Sequence, residues 1–590
     1  MKRDRDNLET LIDAALGERP LDLVVQGAQV VNVFTGEIID EPIGVAAGRI
    51  VAVGELPAGA IGADTREVDF EGRYALPGFV DPHFHIGGSQ LAIPELARAL
   101  VPHGTTTIVS DLQEIYTYAG PRGVRFILDQ AGATPLRLLF VPSAHVLGLE
   151  DRGHYAHPVS PDEMVEMLDW PETVGINEPP PVMVLGKNPG TLQVLKAALE
   201  RGMIFPGHLP GVSGTELQAY AAVGASSCHE SQTDVEAIEK LRLGLWAMMR
   251  EGSAAVDLEN VVPLLEEFPG AGRWSMVCSD EQDAPELAAK GNVDEKLRIL
   301  RRHGVDAVSA VQMGTVNPAL YYRIDDEVGS IAPGRAADIV AVADLESFEV
   351  TDVISRGTIQ VEGGSYVAST SSAEYPDYLQ SKVLWSREID PHDFDVPASG
   401  EQVRVRAIGV HDGSLVSDAR ETTLPVSGGN VRADPDFDVL KIAVIDRHTD
   451  AIKLATGFIQ GFGIKDGAVA STYCHVHYNV VVIGTSDEQM ALACNELAGL
   501  GGGVVVIGGS APIKKWPLPL VGIFSTEPFE QARKDLEETN SALQRIGCAF
   551  SSPILGLSFV ALTTIPELGI TEKGLFDVET RSFLPVLVDG

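Results

Sequence analysis

Apolar positions along the chain change their rhythm three times. Residues 7–16 space their apolar side chains as an amphipathic helix does. From Leu21 the pattern turns to short β runs at 21–25, 30–33, 43–46 and 50–53, with Gly48-Arg49 as a hairpin signal between the last two. From Tyr74 apolar runs alternate with helical stretches, the pattern of a parallel sheet with crossover helices. Eight runs are read, at 75–85, 105–111, 137–145, 174–178, 204–208, 225–230, 247–252 and 274–280. Helices are expected between them at 93–103, 123–130, 161–168, 191–201, 214–223, 235–244 and 258–268, with a further one at 293–303.

Eight β/α units over roughly 200 residues suggest a closed (β/α)₈ TIM-like barrel. Residues 329–362 turn β-rich again, as a return to the first β module that completes a small sandwich. Residues 375–400 are polar and carry Pro376, Pro391 and Pro397, as a linker does; the remainder has strands and helices of its own. The expected organisation is α/β: residues 1–74 as N-terminal helix and first part of the sandwich, 75–328 as barrel, 329–374 as its return segment, 375–400 as linker, and 401–590 as a C-terminal α+β domain.

Composition narrows the function. The chain has 590 residues, 45% of them hydrophobic and 22% charged, which fits a folded protein of several domains. Its 44 Lys and Arg against 83 Asp and Glu give a net charge of −39, which disfavours nucleic acid as a partner. Only 5 cysteines occur and none forms a CxxC pair, so neither a disulfide framework nor a cysteine zinc knot is expected; a reducing cytoplasm fits. The start Met1-Lys2-Arg3-Asp4-Arg5-Asp6 has no apolar region behind it, and the Gly-rich run 497–513 is a poor membrane span. A cytoplasmic protein without a membrane partner is the expectation.

The strongest local signal for chemistry is His83-Phe84-His85 at the end of the first run, because side chains two apart on a strand share a face. Alone, such a pair is as readily two satisfied loop histidines. Other runs end in Glu178, His208, Cys228-His229-Glu230 and Ser279-Asp280-Glu281, and barrel active sites lie at the C-terminal strand ends. Four imidazoles and two carboxylates can hold two divalent ions, with one carboxylate bridging. Mixed N/O ligation suits Mn, Fe(II) or Zn better than Ca or Mg. A hydroxide shared by two such ions attacks a carbon in a C=N or C=O bond, and Asp280 can accept and return the proton.

Several strings carry a family likeness: Asn32-Val33-Phe34-Thr35-Gly36-Glu37, Leu76-Pro77-Gly78-Phe79-Val80-Asp81 before the histidine pair, His103-Gly104-Thr105-Thr106-Thr107, Gly207-His208-Leu209-Pro210-Gly211, Arg250-Glu251-Gly252-Ser253-Ala254-Ala255 and Gly329-Ser330-Ile331-Ala332-Pro333-Gly334-Arg335. On these the chain resembles the amidohydrolase superfamily, and most closely the bacterial adenine deaminases. The resemblance implies hydrolysis of adenine to hypoxanthine and ammonia, by attack of a metal-bridging hydroxide on C6. It implies His83, His85 and Asp280 on one ion, His208 and His229 on the other, and Glu178 between them where many relatives use a carboxylated lysine. Asp280 would double as general base, with Glu230 and Glu114 as candidates for ring protonation or binding. The ions would be Mn or Fe, with Zn as an alternative, the partner a small purine base, and the assembly a homo-oligomer, with a dimer as the guess.

The chain departs from the family at three places. Pro-His-Glu after Asp111 is Leu112-Gln113-Glu114 here, Gly-Glu-Met-Met is Asn177-Glu178-Pro179-Pro180, and Ala-His-Asp-Ser-His-Asn is Cys474-His475-Val476-His477-Tyr478-Asn479. The second HxH, His475 and His477, is read as structural or substrate-facing rather than as a metal site. His145 reaches the site or caps the rim; His154 and His157 are read as solvated loop residues. The Gly-rich stretch 499–509 lacks the GK[ST] of a phosphate loop and reads as a tight strand connection. Rival readings are a cyclic-amide hydrolase, which usually carries a lysine where Glu178 stands, a small zinc deaminase, whose HxE and PCxxC strings are absent, and a binding protein that kept the scaffold without turnover.

Overall fold

The computed structural model describes residues 7–253, 255–369, 374–414, 416–564 and 567–588. The charged start at residues 1–6, and Ala254 within the Arg250–Ala255 string, lie outside the described residues.

Two sheets form the N-terminal layer. One runs in the order Arg49–Val53, Ile43–Ala46, Leu23–Gln26, Arg66–Asp69. In the other, Ile339–Val342 pairs antiparallel with Tyr74–Pro77, which pairs with Gln29–Val31, so the late β segment returns to the early one. Val25, Ile43 and Ile50 of the first sheet share one buried cluster with Val30, Ala75, Ile339 and Ile354 of the second.

The run expected at 75–85 is two strands. Tyr74–Pro77 belongs to the seven-stranded sheet, and Phe79–Asp81 opens a parallel one. Gly78 is the crossing point. Its N–H donates to the Asp338 carbonyl at 2.9 Å, and a side chain there would collide with Thr106 and Asp338.

Phe79–Asp81, Thr105–Ser110 and Arg137–Phe140 pair in parallel. So do Pro206–Gly207, Ser227–Cys228, Trp246–Arg250 and Ser275–Cys278. Residues 174–178 form no regular strand, contrary to expectation. They touch their neighbours through isolated parallel bridges, Phe140 to Thr173, Ser143 to Asn177 and Gly175 to Ile204. Pro179-Pro180 follows at once, and prolines donate no ladder hydrogen bond. A further parallel bridge joins Phe84 to Asp280, first run to last. Val80, Val109, Leu139, Val174, Ile204, Met248 and Met276, from seven of these runs, meet in one buried cluster.

Two expected helices differ in extent. That at 123–130 is part of Gln113–Gly132, broken at Gly120 (φ 67°) ahead of Pro121, whose ring cannot continue a helix. That at 258–268 is two short helices, Leu258–Val261 and Leu264–Glu267, with Pro263 between.

The C-terminal part is built on a nine-stranded sheet. In its strand Val439–Ile445, Leu440, Ile442 and Val444 join the largest core while Ala443 and Ile445 face the cluster under helix Asp487–Leu500. Burial on both faces explains the unbroken apolar run. The proline-rich stretch 375–400 is tied down, since Ile389 and Phe394 enter that second cluster. The Gly-rich stretch 499–509 is a helix end and a strand, not a tight connection: Gly501 (φ 77°) caps the helix and Gly503–Gly508 pairs on both sides. The largest core joins Phe84, Ile86 and Leu91 to Val476, Tyr478, Phe550 and Leu557, so the C-terminal part lies against the rim that carries the histidine pair. Among the described residues no helix is long and apolar enough to cross a membrane.

Candidate metal centre

The strand ends turn chemistry-bearing side chains into one buried space. Asp280 (φ 61°) and Glu178 (φ 47°) both adopt left-handed backbone, a region non-glycine residues seldom occupy and one that concentrates at functional sites. His85 N–H donates to the Asp280 carbonyl at 2.8 Å, and Asp280 N–H donates to the His83 carbonyl at 2.9 Å. These two hydrogen bonds set the two ends of the site in register.

Glu178 is the centre. Its Oε1 lies 2.7 Å from His83 Nε2, 3.3 Å from His85 Nε2 and 3.4 Å from His229 Nε2. Its Oε2 lies 3.6 Å from His145 Nδ1 and 3.9 Å from His208 Nδ1. Asp280 Oδ1 is 3.3 Å from His83 Nε2 and 3.4 Å from His85 Nε2. Burial would raise the Glu178 carboxyl; His83, His85 and His229 outweigh it and hold the group well below the usual carboxylate range. Burial lowers the His83 imidazole, yet Glu178 and Asp280 bring it up to about 9. Burial, with His208 alongside, lowers His145 to about 3.

Three sets place a ligand atom from each residue close together: His83, Glu178, His229 and Asp280; His145, Glu178 and His208; and His208, His229 and Glu230. Glu178 belongs to two of them. Both ring nitrogens of His208 are buried without a hydrogen-bond partner, although buried polar atoms are nearly always paired. An imidazole stripped of partners beside ionised carboxylates is a donor set for a divalent cation.

Around this centre stand residues of the second kind, which hold the first. Asp111 Oδ1 lies 3.2 Å from His85 Nδ1 and fixes that ring. Arg250, fully buried, donates from Nη1 to Glu230 Oε1 at 2.9 Å and to Asp280 Oδ2 at 2.8 Å, and from Nη2 to Asp257 Oδ2 at 2.7 Å. Glu230 Oε1 also lies 3.1 Å from His229 Nε2 and 3.4 Å from His208 Nδ1. Burial would raise Glu230; Arg250 and the histidines drive it far below its ordinary range. Glu114 behaves differently. Its Oε1 accepts the Gly87 N–H at 3.0 Å, its Oε2 has no partner, and burial beside Asp111 pushes the carboxyl up to about 7.

The free space at the cluster is about 40 Å³, lined on the C-terminal side by His475, Val476, Phe559 and Leu562 and on the other by Gln113 and Glu281. A roomier cleft of about 530 Å³ beside Phe268 and Trp274 has none of these clustered ligands. His477 is turned away, its Nε2 lying 3.2 Å from the Leu149 carbonyl. His154 and His157 are paired rather than simply solvated: His154 Nδ1 is 3.0 Å from Asp446 and His157 Nε2 is 2.8 Å from Glu163.

Residues 74–360 match the amidohydrolase family and residues 414–582 match the adenine deaminase C-terminal domain. A curated adenine deaminase of Clostridium botulinum (strain Langeland) is 35% identical over 595 residues, covering 98% of each chain. One from Moorella thermoacetica is 35% identical over 579 residues, covering 96% of each. The chain belongs to the adenine deaminase family of amidohydrolases. Such enzymes are metal-dependent, and the three ligand sets above supply places for metal.

Within that family the departures at 112–114 and 474–479 acquire positions. Gln113 lines the cavity; Glu114, next to it, does not. His475 lines it from the C-terminal part, while His477 packs away. The sequence reading left out Arg250 as a holding residue, Asp111 behind His85, and Tyr473, whose hydroxyl donates to Glu281 Oε2 at 2.8 Å. Asp111 closes the second run and Arg250 opens a quoted string, so both carried a positional signal; Tyr473 carried none.

Proposed function

We propose that this chain is a metal-dependent aminohydrolase that converts adenine and water to hypoxanthine and ammonia. The observation that carries the reading is Glu178, one buried carboxylate within 3.4 Å of three imidazoles and within 3.9 Å of two more. In this reading His83, His85 and Asp280 would hold one divalent ion, His208 and His229 would hold a second, and Glu178 would serve both. The mixed imidazole and carboxylate set favours Mn or Fe, with Zn as the alternative. Ions bound there would acidify water and polarise the C6–N bond of the base.

The chain's own groups do the rest. Asp280 keeps Oδ1 among the imidazoles while Arg250 holds Oδ2, and the lone pairs these contacts leave over can accept the water proton and hand it to the departing amine. Water oxygen bonds to C6, the C6–N6 bond breaks, ammonia leaves, and N1 of the product carries a proton. Glu114, pushed up to about 7, stands behind the cavity-lining Gln113 as a proton store rather than against the ring, and Glu230, held ionised beside Arg250, orients the histidines of the second site.

The same reading includes a closed (β/α)₈ barrel over 75–328, supported by the parallel bridges between the first and last runs and across residues 173–177. It keeps the sandwich at 1–74 and 329–374, the linker at 375–400 and the C-terminal domain at 401–590. It takes the protein as a cytoplasmic homodimer. Five free buried cysteines suit a reducing compartment. Phe34 and Trp274, 57% and 55% exposed, offer apolar surface for a second copy. Light scattering reads the assembly.

The test is ammonia release from adenine by protein loaded with Mn, Fe or Zn. Release with one of these metals is expected. Bound metal without ammonia from adenine in all three forms would overturn the reading.

A further inference from the structure

Glu281 follows Asp280 on the rim and lines the same cavity, yet its side chain is held by the C-terminal part. Tyr473 Oη donates to its Oε2 at 2.8 Å, and His475 Nε2 lies 3.1 Å from its Oε1. His475 Nε2 also lies 3.4 Å from Tyr473 Oη, and its Nδ1 lies 3.4 Å from Tyr478 Oη, so the ring is held from both sides. The ring is fixed further by stacking on Phe559, centroids 4.8 Å apart and planes within 17°. Burial and the neighbouring Glu281 push the Tyr473 phenol well above its ordinary range, so it stays a donor. Gly88 completes the arrangement, because a side chain there would run into Glu281.

Glu281 Oε2 thus accepts from Tyr473, Oε1 faces His475, and both oxygens of this cavity-lining residue keep lone-pair capacity. A buried carboxylate with spare acceptor capacity calls for a donor on the ligand. Free adenine has two kinds of donor, the C6 amine and the single N–H of its imidazole ring. The amine must lie at the metal cluster to leave. Building on the adenine reading above, we infer that Glu281, positioned by Tyr473 and His475, accepts the imidazole-ring N–H of the base and makes the C-terminal domain the element that selects free bases over N-substituted ones. A methyl or ribosyl group on that nitrogen removes the donor and leaves a buried carboxylate unpaired. Sites built to bond a donor reject analogues that lack it by about 10²-fold or more.

The test compares kcat/KM for adenine, 9-methyladenine and 7-methyladenine in metal-loaded wild type and Glu281→Gln, which keeps the shape of the side chain. In the wild type, at least one methylated base is expected to lose 100-fold or more against adenine. In Glu281→Gln that ratio is expected to fall below tenfold, mostly through a raised KM for adenine. Tyr473→Phe should move the ratio the same way by a smaller amount. An unchanged ratio in Glu281→Gln, or an equal loss on all three bases, overturns the inference while leaving the adenine reading intact. Wild-type protein that releases no ammonia from adenine removes that reading and this inference with it.

Discussion

His83 Nε2 lies 2.7 Å from Glu178 Oε1, the shortest of the contacts that tie the first run of the parallel sheet to the fourth. The pair sits in a space with little water, where a carboxylate between imidazoles is the natural counter-charge for two cations. Glu178→Gln keeps the shape and removes the charge. Metal content measured by plasma emission is expected to fall together with ammonia release, the latter to about 1% of wild type or less. Two ions still bound, with full activity, would contradict the role given to Glu178.

Asp280→Asn removes the proton acceptor together with one negative charge of the ligand set. Its backbone hydrogen bonds to the histidine pair do not depend on the side chain, so circular dichroism should remain that of the folded protein. Turnover is expected to drop by about 10²–10⁴-fold, the usual worth of a positioned acid–base group. Normal turnover in this variant would take Asp280 out of the mechanism.

Arg250 is buried against three carboxylates, Glu230, Asp257 and Asp280. Arg250→Met leaves them without their cation, and removing one partner of a buried ionic cluster costs about 3–5 kcal/mol. The urea midpoint should fall accordingly. Arg250→Lys, which keeps the charge without the fork of donors, should recover part of the loss.

Glu251 offers a pH dependence away from the metal centre. Burial raises its carboxyl to about 7, against an ordinary 4.5, with Lys296 pulling the other way. The folded protein therefore binds the proton more tightly than the unfolded chain. Stability is greatest below the unfolded value, declines as pH rises between the two, and has lost the whole contribution above the folded value. The residue is half-buried, so the change is expected to be about 2 kcal/mol after allowance for solvent screening. Denaturant midpoints at pH 5 and pH 8 should differ less in Glu251→Gln than in the wild type; an equal difference in both proteins would refute the assignment.

The sequence by itself determined a good deal. Strand alternation put His83 and His85 on one side of a run, and the punctuation of apolar runs by Glu178, His208, His229 and Asp280 marked the strand ends, because a parallel sheet buries its runs and leaves only their termini for polar chemistry. The early and late β segments were legible as separate from the alternating middle. Which strand takes residues 74–81 into which sheet was not: Gly78 divides them through contacts with Thr106 and Asp338, far along the chain. Nor could periodicity show that residues 174–178 reach their neighbours by bridges alone. Distances between Glu178 and its imidazoles, the clamp of Arg250 on Glu230 and Asp280, and the grip of Tyr473 and His475 on Glu281 all belong to the tertiary structure. Local pattern fixes which way a side chain leaves its own backbone; only the closing of distant segments on one another decides what it meets there.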